Sequence, residues 1–180
     1  MRIFETRMLS LALLYALLPF GTLRAQPPTS GIYRIRSAYL NDNRCADLRT
    51  QDNVTLQLMP CNNAATSERF QVTLTGDGTY TIKALNKPSS NGIDYVMDGS
   101  GNFSASACNN CDKIRWKIQP AAGSSNPSVM NIIWVIGATG QPLARNQLWN
   151  RMDSDDAGRI QLINAGPPDP HNNWVFLPTK

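Results

Sequence analysis

Histidine is almost missing from this chain: His171 is the only one in 180 residues. A Ser–His–Asp or Cys–His catalytic constellation would have to pass through it, in the loop Pro170-His171-Asn172, where a structural or solvated ring is the simpler reading. Zinc is short of ligands for the same reason, unless Cys45 and Cys61 joined the Cys108-Asn109-Asn110-Cys111 pair. Asp153-Ser154-Asp155-Asp156 lacks the glycine and distal glutamate of a calcium-binding EF-hand loop. No carboxylate pair for glycoside hydrolysis is identifiable. The expectation is a non-enzyme with no catalytic residue, no metal and no cofactor.

Charge of one sign is also scarce. The formal charge is +4, and setting aside Arg2, Arg7, Arg24 and Glu5 leaves +2 for the remainder. Lys113, Arg115 and Lys117 alternate around Ile114 and Trp116, as on the solvated face of a strand. A nucleic-acid partner would require a basic stripe that the sequence does not show. Long apolar runs are missing too, except at the start. There, Met8 to Phe20 follows a positive segment (Arg2, Arg7) and precedes the small-residue site Leu23-Arg24-Ala25. The run is too short to span a bilayer, so residues 1–25 read as a secretory signal peptide, 26–30 as a short linker, and the mature chain as secreted without a membrane span. Export favours oxidised cysteines and makes the sequons at Asn53 and Asn102 candidate glycosylation sites. Cys45 and Cys61 bracket fifteen residues, and Cys108 and Cys111 are read as a small structural disulfide rather than a redox pair.

Helical patterning is nearly absent after the signal. Short alternating runs dominate, broken by Gly, Asn, Asp, Pro and Ser clusters, which is the pattern of an all-β domain. Ile32 to Ser37 and Thr79 to Ala84 alternate; Asn131 to Ile136 is more continuously apolar, as a strand covered on both sides would be. Gln57-Leu58-Met59 is followed by Phe70 thirteen residues after the glutamine, and Gln161-Leu162-Ile163 by Trp174 at the same distance, with Trp116 between them. Such spacing marks a repeated supersecondary unit. Three units of four short strands cannot each bury an apolar face alone, but closed around a threefold axis they leave few edges. The reading is one β-trefoil domain over 31–178, with repeats at about 31–76, 77–126 and 127–178. A β-sandwich is the alternative, and it predicts no threefold spacing.

Cys45-Ala46-Asp47, then Leu56-Gln57-Leu58-Met59-Pro60-Cys61, then Glu68-Arg69-Phe70, resembles the first repeat of a ricin-type (QxW) lectin domain. Asn172-Asn173-Trp174 is similar to the closing motif of its third repeat and Ile114-Arg115-Trp116 to that of the second. The resemblance implies a carbohydrate-binding protein in which a sugar stacks on an aromatic platform while an Asp and side-chain amides bind its hydroxyls. It implies a Cys45–Cys61 bridge, Asp47 as the hydroxyl-binding carboxylate, Gln57 as the repeat's glutamine, and Ser67 or Glu68 at the distal amide. Asp98 stands for the aspartate of the second repeat, where Phe103 sits in place of glutamine. Gln161 and Asn172 serve the third, with no aspartate clearer than Asp153. The platform falls on Met59, about Ala105, and Ile163, none of them aromatic. Tyr39, Tyr95 and Trp149 are loop aromatics available as a displaced platform.

Two other readings remain open. Gly31 to Arg36 and Asn173 to Phe176 are similar to fungal mycocypin-like protease inhibitors, which like the plant Kunitz type are secreted trefoils. Such a protein would insert rigid loops, here Ala84 to Asp94 or Asn146 to Gly158, into a protease cleft. Alternatively, the domain delivers a toxin or enzyme partner chain. The expected partners are therefore glycans or glycoproteins, with a protease or partner chain as alternatives.

Overall fold

A computed structural model describes residues 26–39, 43–48, 56–86, 92–97, 103–108, 113–137, 139–151, 160–164 and 166–179. The segment read as a signal, Asp98, Cys111, Asn53, Asn102 and Asp153 lie outside them. Among these residues are twelve strands: β1 (Gly31–Ser37), β2 (Arg44–Asp47), β3 (Gln57–Pro60), β4 (Phe70–Leu74), β5 (Tyr80–Ala84), β6 (Gly92–Met97), β7 (Phe103–Cys108), β8 (Arg115–Pro120), β9 (Val129–Ile136), β10 (Pro142–Arg151), β11 (Ile160–Asn164) and β12 (Trp174–Pro178). Among the described residues no helix is long and apolar enough to cross a membrane.

Every pairing among the described strands is antiparallel. Following the hydrogen bonds from β1 to β4, β5, β8, β9 and β12 leads back to β1, so six strands close a barrel. The pairs β2–β3, β6–β7 and β10–β11 are hairpins attached to it. Each third of the chain gives two barrel strands and one hairpin, which is the β-trefoil.

Period-2 patterning explains why these residues fill the barrel. Tyr33 and Ile35 on β1, Phe70 and Val72 on β4, Tyr80 and Ile82 on β5, and Trp116 and Ile118 on β8 are all buried, while their neighbours are not. The closing aromatic has one partner position in each repeat: Tyr33 faces Phe70, Tyr80 faces Trp116, and Met130 faces Trp174. β9 is buried on consecutive residues from Val129 to Ile133, in keeping with its continuous apolar run. Burying side chains of this size is worth about 1.5–3 kcal/mol each, so the aromatics dominate the core.

The hairpins close one end of that core with Leu58, Ile93, Trp149, Ile160 and Leu162. Trp149 corrects the sequence reading. It is not a loop aromatic but is 0 % exposed on β10, edge-on to Trp116 at 5.6 Å and to Trp174 at 5.9 Å. Tyr95 likewise lies in a strand, β6. The region proposed as an inhibitory loop from Asn146 runs as β10 to Arg151, and Gly92 to Asp94 of the other belongs to β6.

Candidate functional site

The first and third hairpins carry the same layout. At the end of β2, Asp47 faces Gln57 in register, and Cys45 faces Met59. In the third repeat Asn150 faces Gln161 and Leu148 faces Ile163. A single 3-10 turn precedes each closing aromatic, Thr66–Glu68 before Phe70 and Pro170–Asn172 before Trp174. The last residues of the two turns, Glu68 and Asn172, are both buried and therefore correspond. Asn150 is the partner that the sequence reading lacked. It stands eleven residues before Gln161, against ten between Asp47 and Gln57.

The first-repeat residues are drawn inward. Asp47 and Glu68 are 0 % exposed. Both carboxylate oxygens of Glu68 accept from the Asn62 amide, at 2.9 and 3.0 Å, so the side chain knots the turn after Cys61. Cys45 and Cys61 form the disulfide, with Cα atoms 4.9 Å apart. The Ser67 carbonyl accepts from the Leu48 amide at 3.0 Å and ties the end of β2 to the 3-10 turn. Gln57, Met59 and Ser67 are half-buried. In the second repeat Phe103 opens β7 opposite Met97.

Among the described residues the third repeat gathers the most polar contacts. Gln161 Nε2 donates to Asn150 Oδ1 at 3.1 Å. Asn150 Nδ2 donates to Asn172 Oδ1 at 2.9 Å and to Asp169 Oδ2 at 3.3 Å. The other Asp169 oxygen caps the 3-10 turn by accepting from the His171 amide at 2.9 Å, and it lies 2.6 Å from His171 Nδ1. Asn131 Nδ2 donates to the Asn172 carbonyl at 2.8 Å and fixes the turn to the barrel. Asn131, Asn150 and Asn172 are buried and Gln161 is half-buried, whereas Asp169 and His171 reach solvent with side chains 35 % and 26 % exposed. Tyr39, in the link between β1 and β2, stacks on the His171 ring at a centroid distance of 4.1 Å and an interplanar angle of 28°.

Partial burial alone would raise the Asp169 carboxyl. Hydrogen bonds from the His171 amide and ring, the charge of that ring and the Asn150 amide outweigh it and hold the group below the ordinary carboxylate range. Asp169 is therefore an anion at neutral pH with its acceptors fixed in direction. Sequence reasoning missed it, although Asp169-Pro170 carries a legible signal: an N-cap aspartate followed by proline at the first helical position.

Among known proteins, a ricin B-like lectin of Macrolepiota procera, solved in complex with lactose, superposes with a TM-score of 0.62 at 15 % identity, covering 85 % of this chain and 99 % of that one. The chain folds as a β-trefoil. The Rhizoctonia solani agglutinin gives a TM-score of 0.56 at 11 % identity, over 85 % of this chain and 98 % of its own. A designed threefold-symmetric protein, ThreeFoil, gives 0.51 at 10 % identity over 82 % and 98 %. The sequence matches no family model and no curated protein. What the chain shares with these proteins at such low identity is the trefoil fold.

Proposed function

We propose that the protein is a secreted, non-catalytic glycan-binding trefoil whose principal site lies on the third repeat. One observation carries this reading: the Gln161–Asn150–Asn172 amide network, buried at Asn150 and Asn172, presents a solvent-reaching Asp169 beside the stacked rings of His171 and Tyr39. A sugar has directional hydroxyls and an apolar C–H face, so a fixed carboxylate next to flat rings is chemically matched to it. Tyr39 then supplies the platform that Met59 and Ile163 do not. The amides position, and Asp169 with the ring pair makes contact. The similarity in fold to a lectin solved in complex with lactose supports the reading. Secretion rests on the N-terminal signal pattern, and an oxidised Cys45–Cys61 pair is consistent with it.

A glycan array probed with the mature protein, Asp169→Asn and Tyr39→Ala is the test. Binding to a defined glycan group that falls at least tenfold in both variants is expected. An array at background, accompanied by stoichiometric inhibition of a trypsin-like or papain-like protease, would replace this reading with the inhibitor one.

A further inference from the structure

Strand pairing gathers arginines that the sequence disperses. Arg34 and Arg36 alternate with the buried Tyr33, Ile35 and Ser37, so both project from the outer face of β1. Tyr33 faces Phe70, and the same register carried one residue further sets Arg34 opposite Arg69. Arg34 and Arg69 line one depression of about 270 Å³, together with Asn63, Pro178 and Thr179. Among the described residues no carboxylate lines it.

The guanidinium groups are not neutralised by the surrounding described residues. The Nε atoms of Arg34, Arg36 and Arg69 are each shielded from solvent without a hydrogen-bond acceptor. Arg69 spends one Nη2 donor on the Asn63 carbonyl at 3.2 Å, which fixes its plane. A shielded N–H with no acceptor is costly, and two like charges at one depression add to that cost. An anion placed between them removes the second of these costs. Guanidinium forks suit oxyanions because each offers two parallel N–H donors.

We infer that this depression is an oxyanion-binding site for a sulfate or phosphate monoester. Two forks reaching in from different segments offer more donors than one planar carboxylate accepts, whereas a tetrahedral group with three free oxygens can use both. The volume leaves room for part of the group that carries the ester. The site shares no residue with the third-repeat network and stands whether or not that network binds a glycan.

Titration at constant ionic strength, followed on the Arg Nε–Hε signals by NMR and on heat by calorimetry, tests this. The probes are inorganic sulfate, galactose 6-sulfate, galactose 6-phosphate and plain galactose, with chloride as the balancing anion. Saturable binding of the three anions is expected, with Arg34 and Arg69 signals moving and galactose leaving them still. Stronger binding of the sulfate ester would assign a sulfated ligand, and the reverse preference a phosphorylated one. Arg34→Gln and Arg69→Gln should each weaken binding about tenfold, and the pair should abolish it. Arg34→Lys with Arg69→Lys keeps the charge and the fold, and should retain weak binding. Non-saturable behaviour, or equal binding by wild type and the double glutamine variant, overturns the inference.

Discussion

Replacing Asn150 by aspartate asks whether directed amide donors hold the third-repeat network together. Asn150 is 6 % exposed. Asn150→Asp preserves the shape and the acceptor for Gln161, but removes the donors to Asn172 at 2.9 Å and Asp169 at 3.3 Å. The first loss costs about 1 kcal/mol and the second, a bond to a charged group, about 1.5 kcal/mol at this length. Two carboxylates would then stand together. At an effective dielectric of about 20 their repulsion near 4 Å is about 4 kcal/mol, and the exposure of Asp169 reduces this to about 2. The sum is about 4–5 kcal/mol at neutral pH, a large share of the stability of a domain this size.

The pH dependence sets this cost apart from a lost contact. Burial beside an anion raises the introduced carboxyl in the folded state above its unfolded value of about 3.9. The deficit is therefore small below about pH 4, where both states bind the proton, and it grows as pH rises through the raised folded value. Urea unfolding followed by tryptophan fluorescence reads the midpoint at a constant m-value. Asn150→Ala should cost about 3 kcal/mol with little pH dependence, since it leaves unpaired groups but adds no charge. A deficit below about 1 kcal/mol at pH 7, or one that is the same at pH 4, would refute the reasoning. Because Asp47 occupies the matching position of the first repeat, sequence symmetry alone would predict tolerance.

Trp174→Phe should cost about 2–3 kcal/mol by equilibrium unfolding, from a smaller ring and an orphaned partner. The indole is 0 % exposed, and its Nε1 donates to the Trp149 carbonyl at 3.1 Å. An unchanged midpoint would show that the Phe70 solution of the first repeat serves the third equally well. Replacing Cys45 and Cys61 together by alanine should cost about 3 kcal/mol through the loop they close. Calorimetry with and without reductant on the wild type provides the matching measurement, and insensitivity to both changes would remove the constraint argument.

The barrel was legible because its residues obey rules that sequence exposes. Inward aromatics and aliphatics at period 2 on β1, β4, β5 and β8 announce a half-buried strand, and the distance from Gln57 to Phe70 recurs from Gln161 to Trp174. β10 was not legible at its end. Leu148, Trp149 and Asn150 are all buried, so alternation vanishes, and the polar neighbours Asn146, Gln147 and Arg151 make the run read as a loop. Trp149 was misread for this reason and Asn150 overlooked. The offset was also shifted by one residue in a strand whose pairing with β9 changes register between Pro142 and Gln147. Asp169 escaped notice, and His171 was read only as a structural or solvated ring, because their role arises from a 3-10 turn meeting the β1–β2 link, a contact between segments more than a hundred residues apart.

Barrel closure carries a consequence for synthesis. β12 lies between β1 and β9, with Pro178 opposite Tyr33 and Val175 opposite Val129. The amide of Thr179 adds a further bond to the Ile32 carbonyl at 2.9 Å. During translation β1 emerges first of these strands and β12 last, so the ring cannot be completed until nearly all of the domain has left the ribosome. Until then β1 and β9 each present an unpaired edge to whatever strand is nearby, including those of neighbouring nascent chains. The last strand thus acts as the seam that converts an aggregation-prone open sheet into a closed molecule.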